Sequence, residues 1–353
     1  MLYKTTKEAW QAMIDACKIA KYSIDCEQYI LMNDPAGHDL LDVLIDKQRE
    51  GVKVRLHCDM VGSHSLYISE YPKKLTGLAA EVRFFNPISY IRVDTFFSWF
   101  FRTHRKILIV DSKIGFTGGV GFSDHFREWR DTHIKIEDEN VIDEMKDSFD
   151  KLWEVSEHHD IVNRIRTIRG EGPKRHFVSN TPYFKKRFLY YTFVKAIKAA
   201  KERVYITVPY FVPDARMLRT LILAQRRGVD VKLIFPKWSD VYSADSARRS
   251  FYTRLLKAGI RIFEYGPEMI HAKTIVIDKD FSSVGSFNFD NLSFTFNHEG
   301  NLISREKDLN QSLEKMFMED LEKSEEVKLQ EWQKRSLLSI IREMLVIPFR
   351  RLL

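Results

Sequence analysis

Two short patterns in the 353-residue chain set the same three side-chain types at the same spacing. They are His104-x-Lys106-x4-Asp111 and His271-x-Lys273-x4-Asp278, an offset of 167 residues. One copy arises readily by chance; two copies at matching places do not. Each is followed by small residues, Gly118-Gly119-Val120-Gly121 after the first and Gly285-Ser286-Phe287-Asn288 after the second. Positions two apart on a strand share a face, so each His points with its Lys. Lysines are seldom fully buried, so a purely structural core would not place one beside each histidine. Two lysines supply fixed positive charge for the non-bridging oxygens of a phosphodiester. Ser286, Asn288 and the glycine-rich turns add neutral donors. One imidazole can attack phosphorus while the other protonates the leaving alcohol and later deprotonates the incoming one. That division requires the two rings to differ in protonation, which local environment can impose. A metal site is the competing reading of two His and two Asp. Interleaved lysines would repel a dication, and the spacing matches no zinc pattern, so neither metal nor cofactor is expected.

Each histidine also needs a group to hold its second ring nitrogen. Asp131 lies 27 residues after His104, and Glu299 lies 28 after His271. Both follow strand-like segments beyond the small-residue turn, so both can return to the site. Carboxylates in such positions fix the tautomer and raise basicity.

The elements that must position these residues also repeat. Gly51-Val-Lys-Val-Arg-Leu56 echoes Gly228-Val-Asp-Val-Lys-Leu233, and Ala80-Glu-Val-Arg-Phe84 echoes Gly259-Ile-Arg-Ile-Phe263. Offsets near half the chain length mean that a whole domain is duplicated. Each half begins with an amphipathic helix (Ala9, Met13, Ala16 and Ala20; Phe193, Ile197 and Ala200). A strand follows, then a second helix (Leu40, Leu41, Leu44 and Ile45; Leu218, Leu221 and Ile222) and a Gly-Val turn into another strand. Alternating helix and strand patterns predict an α/β fold with a parallel or mixed sheet. The motif strands 107–110 and 274–277 are continuous apolar runs, as expected of strands covered on both faces. The predicted organisation is an N-terminal domain over 1–162, a basic linker over 163–187, a C-terminal domain over 188–330 and a basic amphipathic tail over 331–353.

Composition is that of a globular protein, 44% hydrophobic and 30% charged, which excludes disorder and a disulfide scaffold. The net charge of +7 favours an anionic partner, nucleic acid or an anionic lipid surface. The three cysteines, Cys17, Cys26 and Cys58, sit among apolar neighbours and read as buried thiols. No secretory signal is evident, and no run reaches the ~18 apolar residues of a membrane span. The last 22 residues carry five basic residues against Glu343, with Leu337, Ile340, Ile341, Met344 and Leu345 at helical spacing. Such a helix suits a membrane surface or an ordinary cap on the body. The run Thr95-Phe-Phe-Ser-Trp-Phe-Phe101, just before His104, is a second candidate for membrane contact or for core.

These residues resemble the phospholipase D superfamily, whose signature is the paired His-Lys-Asp motif. Within it the chain resembles bacterial cardiolipin synthases of the phospholipase D type from about residue 5 to the C-terminus. The resemblance rests on Asp34-x-x-Gly37, Asp59-x-x-Gly62-Ser63, Thr103-His-Arg-Lys106, Trp129-Arg-Asp-Thr-His133, Thr207-x-Pro-Tyr-Phe-x-Pro213, His271-Ala-Lys-Thr274 and Gly285-Ser-Phe-Asn-Phe-Asp290. It implies two phospholipase D-like domains, each a mixed sheet flanked by helices, pseudo-two-fold related and sharing one active site. It also implies metal-free phosphatidyl transfer from one phosphatidylglycerol to another through a phosphatidyl-histidine, giving cardiolipin and glycerol. His104 would be nucleophile and His271 acid/base, with Asp131 and Glu299 orienting them. The catalytic set is then His104, Lys106, Asp111, His271, Lys273 and Asp278, supported by Asp131, Glu299, Gly118, Gly119, Ser286 and Asn288. One departure stands out: the family's first motif usually ends Gly-Gly-x-Asn, and here Gly121 replaces the Asn, leaving a donor to be supplied elsewhere, as by Ser123. The expected partners are anionic phospholipids, not nucleic acid. The chain is expected to work as a monomer, peripheral to the cytoplasmic face of the membrane. The alternative is a phosphodiesterase or nuclease on the same scaffold.

Overall fold

The structure is a computed structural model that describes residues 1–87, 101–158, 174–181 and 187–352. The stretches 88–100, 159–173 and 182–186, which carry most of the aromatic run and of the arginine-rich linker, lie outside the described residues.

The first half runs β1 (Leu2–Tyr3), α1 (Thr6–Lys18), β2 (Ser23–Gln28), α2 (Pro35–Arg49), β3 (Lys53–Asp59), α3 (His64–Tyr67), α4 (Tyr71–Gly77), β4 (Glu81–Phe85), β5 (Lys106–Val110), β6 (Ile114–Gly118), β7 (His133–Ile136) and α5 (Glu139–His158). The second runs β8 (Arg175–Asn180), α6 (Phe188–Ala199), β9 (Arg203–Thr207), α7 (Ala215–Arg226), β10 (Asp230–Pro236), α8 (Tyr242–Arg249), α9 (Tyr252–Lys257), β11 (Arg261–Tyr265), β12 (Thr274–Ile277), β13 (Phe281–Gly285), β14 (Glu299–Ser304) and α10 (Lys307–Glu322). It closes with β15 (Ser324–Glu326), α11 (Leu329–Trp332) and α12 (Leu337–Val346).

The strand orders are β1-β7-β6-β5-β2-β3-β4 and β15-β11-β10-β9-β12-β13-β14-β8. Apart from β15 the two sheets are the same sheet made twice. β2, β3 and β4 are parallel, as are β9, β10 and β11. The motif strands β5 and β12 join them antiparallel and lead into antiparallel meanders. The two-domain mixed α/β architecture expected from the repeat is therefore present. One boundary is corrected. The stretch 163–187 is not linker throughout: β8 pairs along its whole length with β14, where β1 pairs with β7 in the first half. Its basic residues disguised it. Arg175 pairs with Glu306 at the start of the strand, while Phe177 packs in the core shared by both halves.

Helix starts are set by local chemistry that also repeats. Asp34 and Asp214 cap α2 and α7, each side chain accepting the N–H three residues on, at Gly37 and Met217. Alternation along β5 sends Leu108 and Val110 to the outer core of the first half, and Ile107 and Ile109 to a core shared by both halves. In β12 the same alternation sends Ile275 and Ile277 outward and Val276 to the shared core. The two motif strands thus face each other across one apolar layer, and that layer brings their leading histidines together. The three cysteines are buried free thiols, as expected. Among the described residues no helix is long and apolar enough to cross a membrane.

Candidate active site

His104 and His271 lie immediately ahead of β5 and β12 and line one cavity of about 310 Å³ between the halves, together with Lys106, Gly119 and Asn288. Each segment is stitched to the other half by backbone bonds. His104 N–H donates to His298 C=O at 2.9 Å, and His298 N–H to Arg102 C=O at 2.8 Å. His271 N–H donates to Arg130 C=O at 2.8 Å, and Arg130 N–H to Met269 C=O at 3.0 Å. The residues after His298 and Arg130 are Glu299 and Asp131. The carboxylates therefore cross. His104 Nδ1 lies 3.1 Å from both oxygens of Glu299, and His271 Nδ1 lies 2.8 Å from Asp131 Oδ2. Each histidine is oriented by the opposite half.

Both carboxylates are buried and ionised. Burial pushes Glu299 up, but His104, Lys106 and the Ser286 hydroxyl hold it below the usual carboxylate range. His271 and Lys273 do the same for Asp131. Burial takes His104 down to about 4 despite Glu299, so its ring is neutral, and burial with the charge of Lys273 lowers His271. A neutral ring donating Nδ1–H to a carboxylate leaves the Nε2 lone pair free. Lys106 Nζ donates to His104 C=O at 2.7 Å. Lys273 Nζ donates to His271 C=O at 2.7 Å and lies 3.0 Å from His271 Nε2. Burial, with the neighbouring Lys273, lowers Lys106 to about 7, and burial lowers Lys273 to about 8. Two buried lysines, neither bonded to a carboxylate among the described residues, are a receptor for an anion.

Residues 13–153 and 193–321 match the family described as cardiolipin synthase, PLD-like domain. The chain belongs to this family. A cardiolipin synthase of Clostridium perfringens is 33% identical over 363 residues, covering 98% of this chain and 75% of its own. Cardiolipin synthase 2 of Bacillus anthracis is 32% identical over 343 residues, 94% of this chain and 66% of that one. The chain thus spans about two thirds to three quarters of these relatives. The fold is shared with phosphatidylserine synthase of Haemophilus influenzae, at TM-score 0.77 and 15% identity over 99% of this chain and 92% of that one. Polyphosphate kinase of Porphyromonas gingivalis also aligns, at TM-score 0.65 and 11% identity over 94% of this chain and 48% of that one.

Of the expected site residues, His104, Lys106, His271, Lys273, Asp131, Glu299, Gly119, Ser286 and Asn288 come together. Gly118 stands behind them, its Cα packed so closely on Thr132 and His133 that a side chain would lie 2.4 Å from Thr132 O. The third residue of each motif does not join. Asp111 sits beyond the far end of β5 at φ 52°, accepting the N–H groups of Lys21, Tyr22 and Ser23 at 2.9, 2.7 and 2.9 Å. Asp278 does the same for Lys201, Glu202 and Arg203 at φ 49°. Lys106 opens the five-residue strand β5 and Asp111 follows its last residue, so the length of the strand carries the carboxylate out of reach. These two aspartates pin the turn after the motif strand to the start of its neighbour. Ser123 does not replace the missing amide: its hydroxyl donates to Asp34 Oδ2 at 3.0 Å and receives His125 N–H. The site therefore holds one amide of the pair, Asn288, whose Oδ1 has no hydrogen-bond partner among the described residues.

Two aromatic contacts escaped the motif reading. The Tyr29 ring meets His104 edge-on at 4.9 Å and receives Lys106 Nζ at 5.2 Å; Trp129 packs on His271 at 5.1 Å. Tyr29 follows β2 directly, and Tyr210, three residues beyond β9, lies 5.9 Å from His271. A tyrosine shortly after the first inner strand of each half was the available signal. The Asp59-x-x-Gly62-Ser63 motif serves Tyr29 and His104. Asp59 Oδ2 accepts Thr103 N–H at 3.0 Å, and Ser63 Oγ donates to Tyr29 C=O at 3.0 Å.

Proposed function

We propose that this chain is a cardiolipin-forming phosphatidyltransferase. His104 Nε2 attacks the phosphorus of phosphatidylglycerol while its Nδ1–H stays on Glu299. The P–O bond to glycerol breaks, and the glycerol oxygen takes the Nε2 proton of the His271 imidazolium, which Asp131 stabilises. The phosphatidyl group is then held as a P–N bond to His104. Neutral His271 takes the proton from a hydroxyl of a second phosphatidylglycerol, that oxygen attacks phosphorus, the P–N bond breaks, and cardiolipin leaves. Lys106, Lys273 and Asn288 hold the non-bridging oxygens throughout.

The observation that carries this reading is the convergence of two carboxylate-held histidines on one cavity, each with a buried lysine beside it that bonds no carboxylate among the described residues, in a chain similar to cardiolipin synthases over nearly its whole length. Burial takes His104 down to about 4 and keeps its Nε2 lone pair free, which supports it as nucleophile. Completion of the site by the two halves of one chain supports a catalytic monomer. A lipid substrate supports a peripheral position on a membrane, and the reading takes the cytoplasmic face as its side. Incubation with phosphatidylglycerol vesicles should give cardiolipin and glycerol in equal amounts. Phosphatidic acid as the sole lipid product, or nucleotide release from single-stranded DNA without cardiolipin, would overturn the assignment.

A further inference from the structure

Helix α12 is amphipathic in the wrong sense for a cap. Leu337, Leu338, Ile341, Met344 and Leu345 share one face, and all five are exposed, Leu337 at 78%. The face turned to the body is mixed, with Val346 against the second core and a buried carboxylate beside it. Glu343, only 4% exposed, accepts Arg335 Nε and Nη2 at 2.8 and 2.9 Å, and the Ser336 hydroxyl caps the helix by accepting Ser339 N–H. A helix that only closed the core would turn its leucines inward. The seat under α12 is nevertheless firm, because Trp332 just before it lies in the second core and donates to Thr253 Oγ1 at 3.0 Å.

Three further observations identify what covers this row. Glu343 is the sole acidic residue from 332 onward and is cancelled by Arg335, so the exposed charges beside the row, Lys334 and Arg342, are positive. Helix α12 packs against α8. The segment leading into α8 forms a lip of the reaction cavity, which Asp240 and Val241 line. Trp238 and Tyr242 stand exposed on that lip, Tyr242 at 86%. Amphipathic aromatics of this kind favour the headgroup layer of a bilayer.

We propose that the α12 row is a docking surface for an anionic phospholipid bilayer and that, through α8, it holds the Trp238–Tyr242 lip of the cavity at the headgroup layer. The cavity then opens where the scissile phosphodiester lies, and the substrate need not leave the membrane. This rests on the lipid reading of the site and adds to it the surface that delivers the lipid.

The test uses the full chain with Ile341→Glu and Leu345→Glu together, both exposed positions, checked for an unchanged melting temperature. Partition onto vesicles of phosphatidylglycerol and phosphatidylcholine in equal parts should fall at least tenfold by sedimentation. Turnover on those vesicles should fall in step, and turnover on monomeric short-chain phosphatidylglycerol should hold. A second variant, Lys334→Glu with Arg342→Glu, should lose the preference for these vesicles over pure phosphatidylcholine. The Trp238 contribution to fluorescence, taken as wild type minus Trp238→Phe, should shift to the blue on vesicle binding. Unchanged partition in both variants would overturn the proposal. So would a wild-type dimer that the first variant turns into monomer, since the row would then cover a second copy. Binding needs no turnover: a chain that shows the binding loss and makes no cardiolipin would overturn the transferase reading and uphold the surface.

Discussion

The two half-sites have the same backbone and different side-chain support. Around His104 the carboxylate is Glu299, and both its oxygens are also engaged by serines, Ser286 on Oε2 and Ser293 on Oε1. Around His271 the carboxylate is Asp131, supported by one backbone N–H, from Thr132 at 2.7 Å. Where the second half has Ser286, the first has Gly119, and where the second has Asn288, the first has Gly121. The Gly119 position needs empty space: a Cβ there would lie 2.2 Å from Asp131 Oδ1. The half that holds the proposed nucleophile is therefore the more tightly bonded, and the half that moves protons is the more open. A duplicated frame lets one active site assign two jobs to two copies of one residue.

The strongest way to break the comparison is to remove each histidine. His104→Ala and His271→Ala should each lower turnover by at least ~10²–10⁴-fold. Acid-labile phosphohistidine should be trapped on His104 and not on His271; the reverse would exchange the two roles. Next comes the matched pair Gly119→Ala and Ser286→Ala. Gly119→Ala pushes Asp131 off His271 and should behave as Asp131→Asn does, with a loss on the order of 10²-fold. Ser286→Ala removes one hydrogen bond to Glu299, about 1 kcal/mol, and should cost tenfold or less. Equal losses in steady-state kcat/KM would mean that the half-sites are supported alike.

The lysines give a smaller, graded distinction. In the free enzyme, values of about 7 at Lys106 and about 8 at Lys273 mean that positive charge is lost as pH rises through that range. The kcat/KM profile should fall there, and the kcat profile should fall at higher pH, because a bound phosphodiester favours charged lysine. Lys106→Arg keeps its charge, so it should lift the limb near 7 and leave the limb near 8. A profile unmoved by that change would assign the limb to another group. The smallest effects belong at the motif aspartates. Asp111→Asn and Asp278→Asn should leave turnover unchanged and cost about 1 kcal/mol of stability each. Burial pushes both carboxyls up, but three backbone N–H groups hold each below its usual value. Their contribution is therefore complete above the unfolded value near ~3.9 and is lost as pH falls through the folded value. Melting temperatures of wild type and variants should converge on acidification.

Much of this was legible in the sequence. The duplication, the paired helices, the motif strands and the meeting of His104, Lys106, His271 and Lys273 follow from repeated spacing and apolar runs. The crossing of Glu299 to His104 and Asp131 to His271 does not, because separation along the chain measures distance within one half and the partners lie in opposite halves. Asp111 and Asp278 were misassigned for a related reason. Equal spacing in both copies shows that a residue is needed, and a turn needs it as firmly as a reaction does. Strand β8 was hidden because its arginine and histidine, at the end of a basic stretch, suit a loop as well as a strand. The outward row of α12 was visible as a pattern, but which face it showed to water depended on the buried Arg335–Glu343 pair.

The crossing has a consequence for the protein's first minute. His104 and Glu299 are 195 residues apart. At a synthesis rate of roughly 5–20 residues per second, a ribosome delivers the histidine about 10–40 s before its carboxylate exists. Through that interval the first half can fold its sheet while its imidazole has no partner, no opposing lysine and no cavity. Chemistry switches on once, when the last strand of the second meander docks. A chain cut between the halves should accordingly yield two silent fragments whose activity returns only on mixing, in proportion to the complex they form.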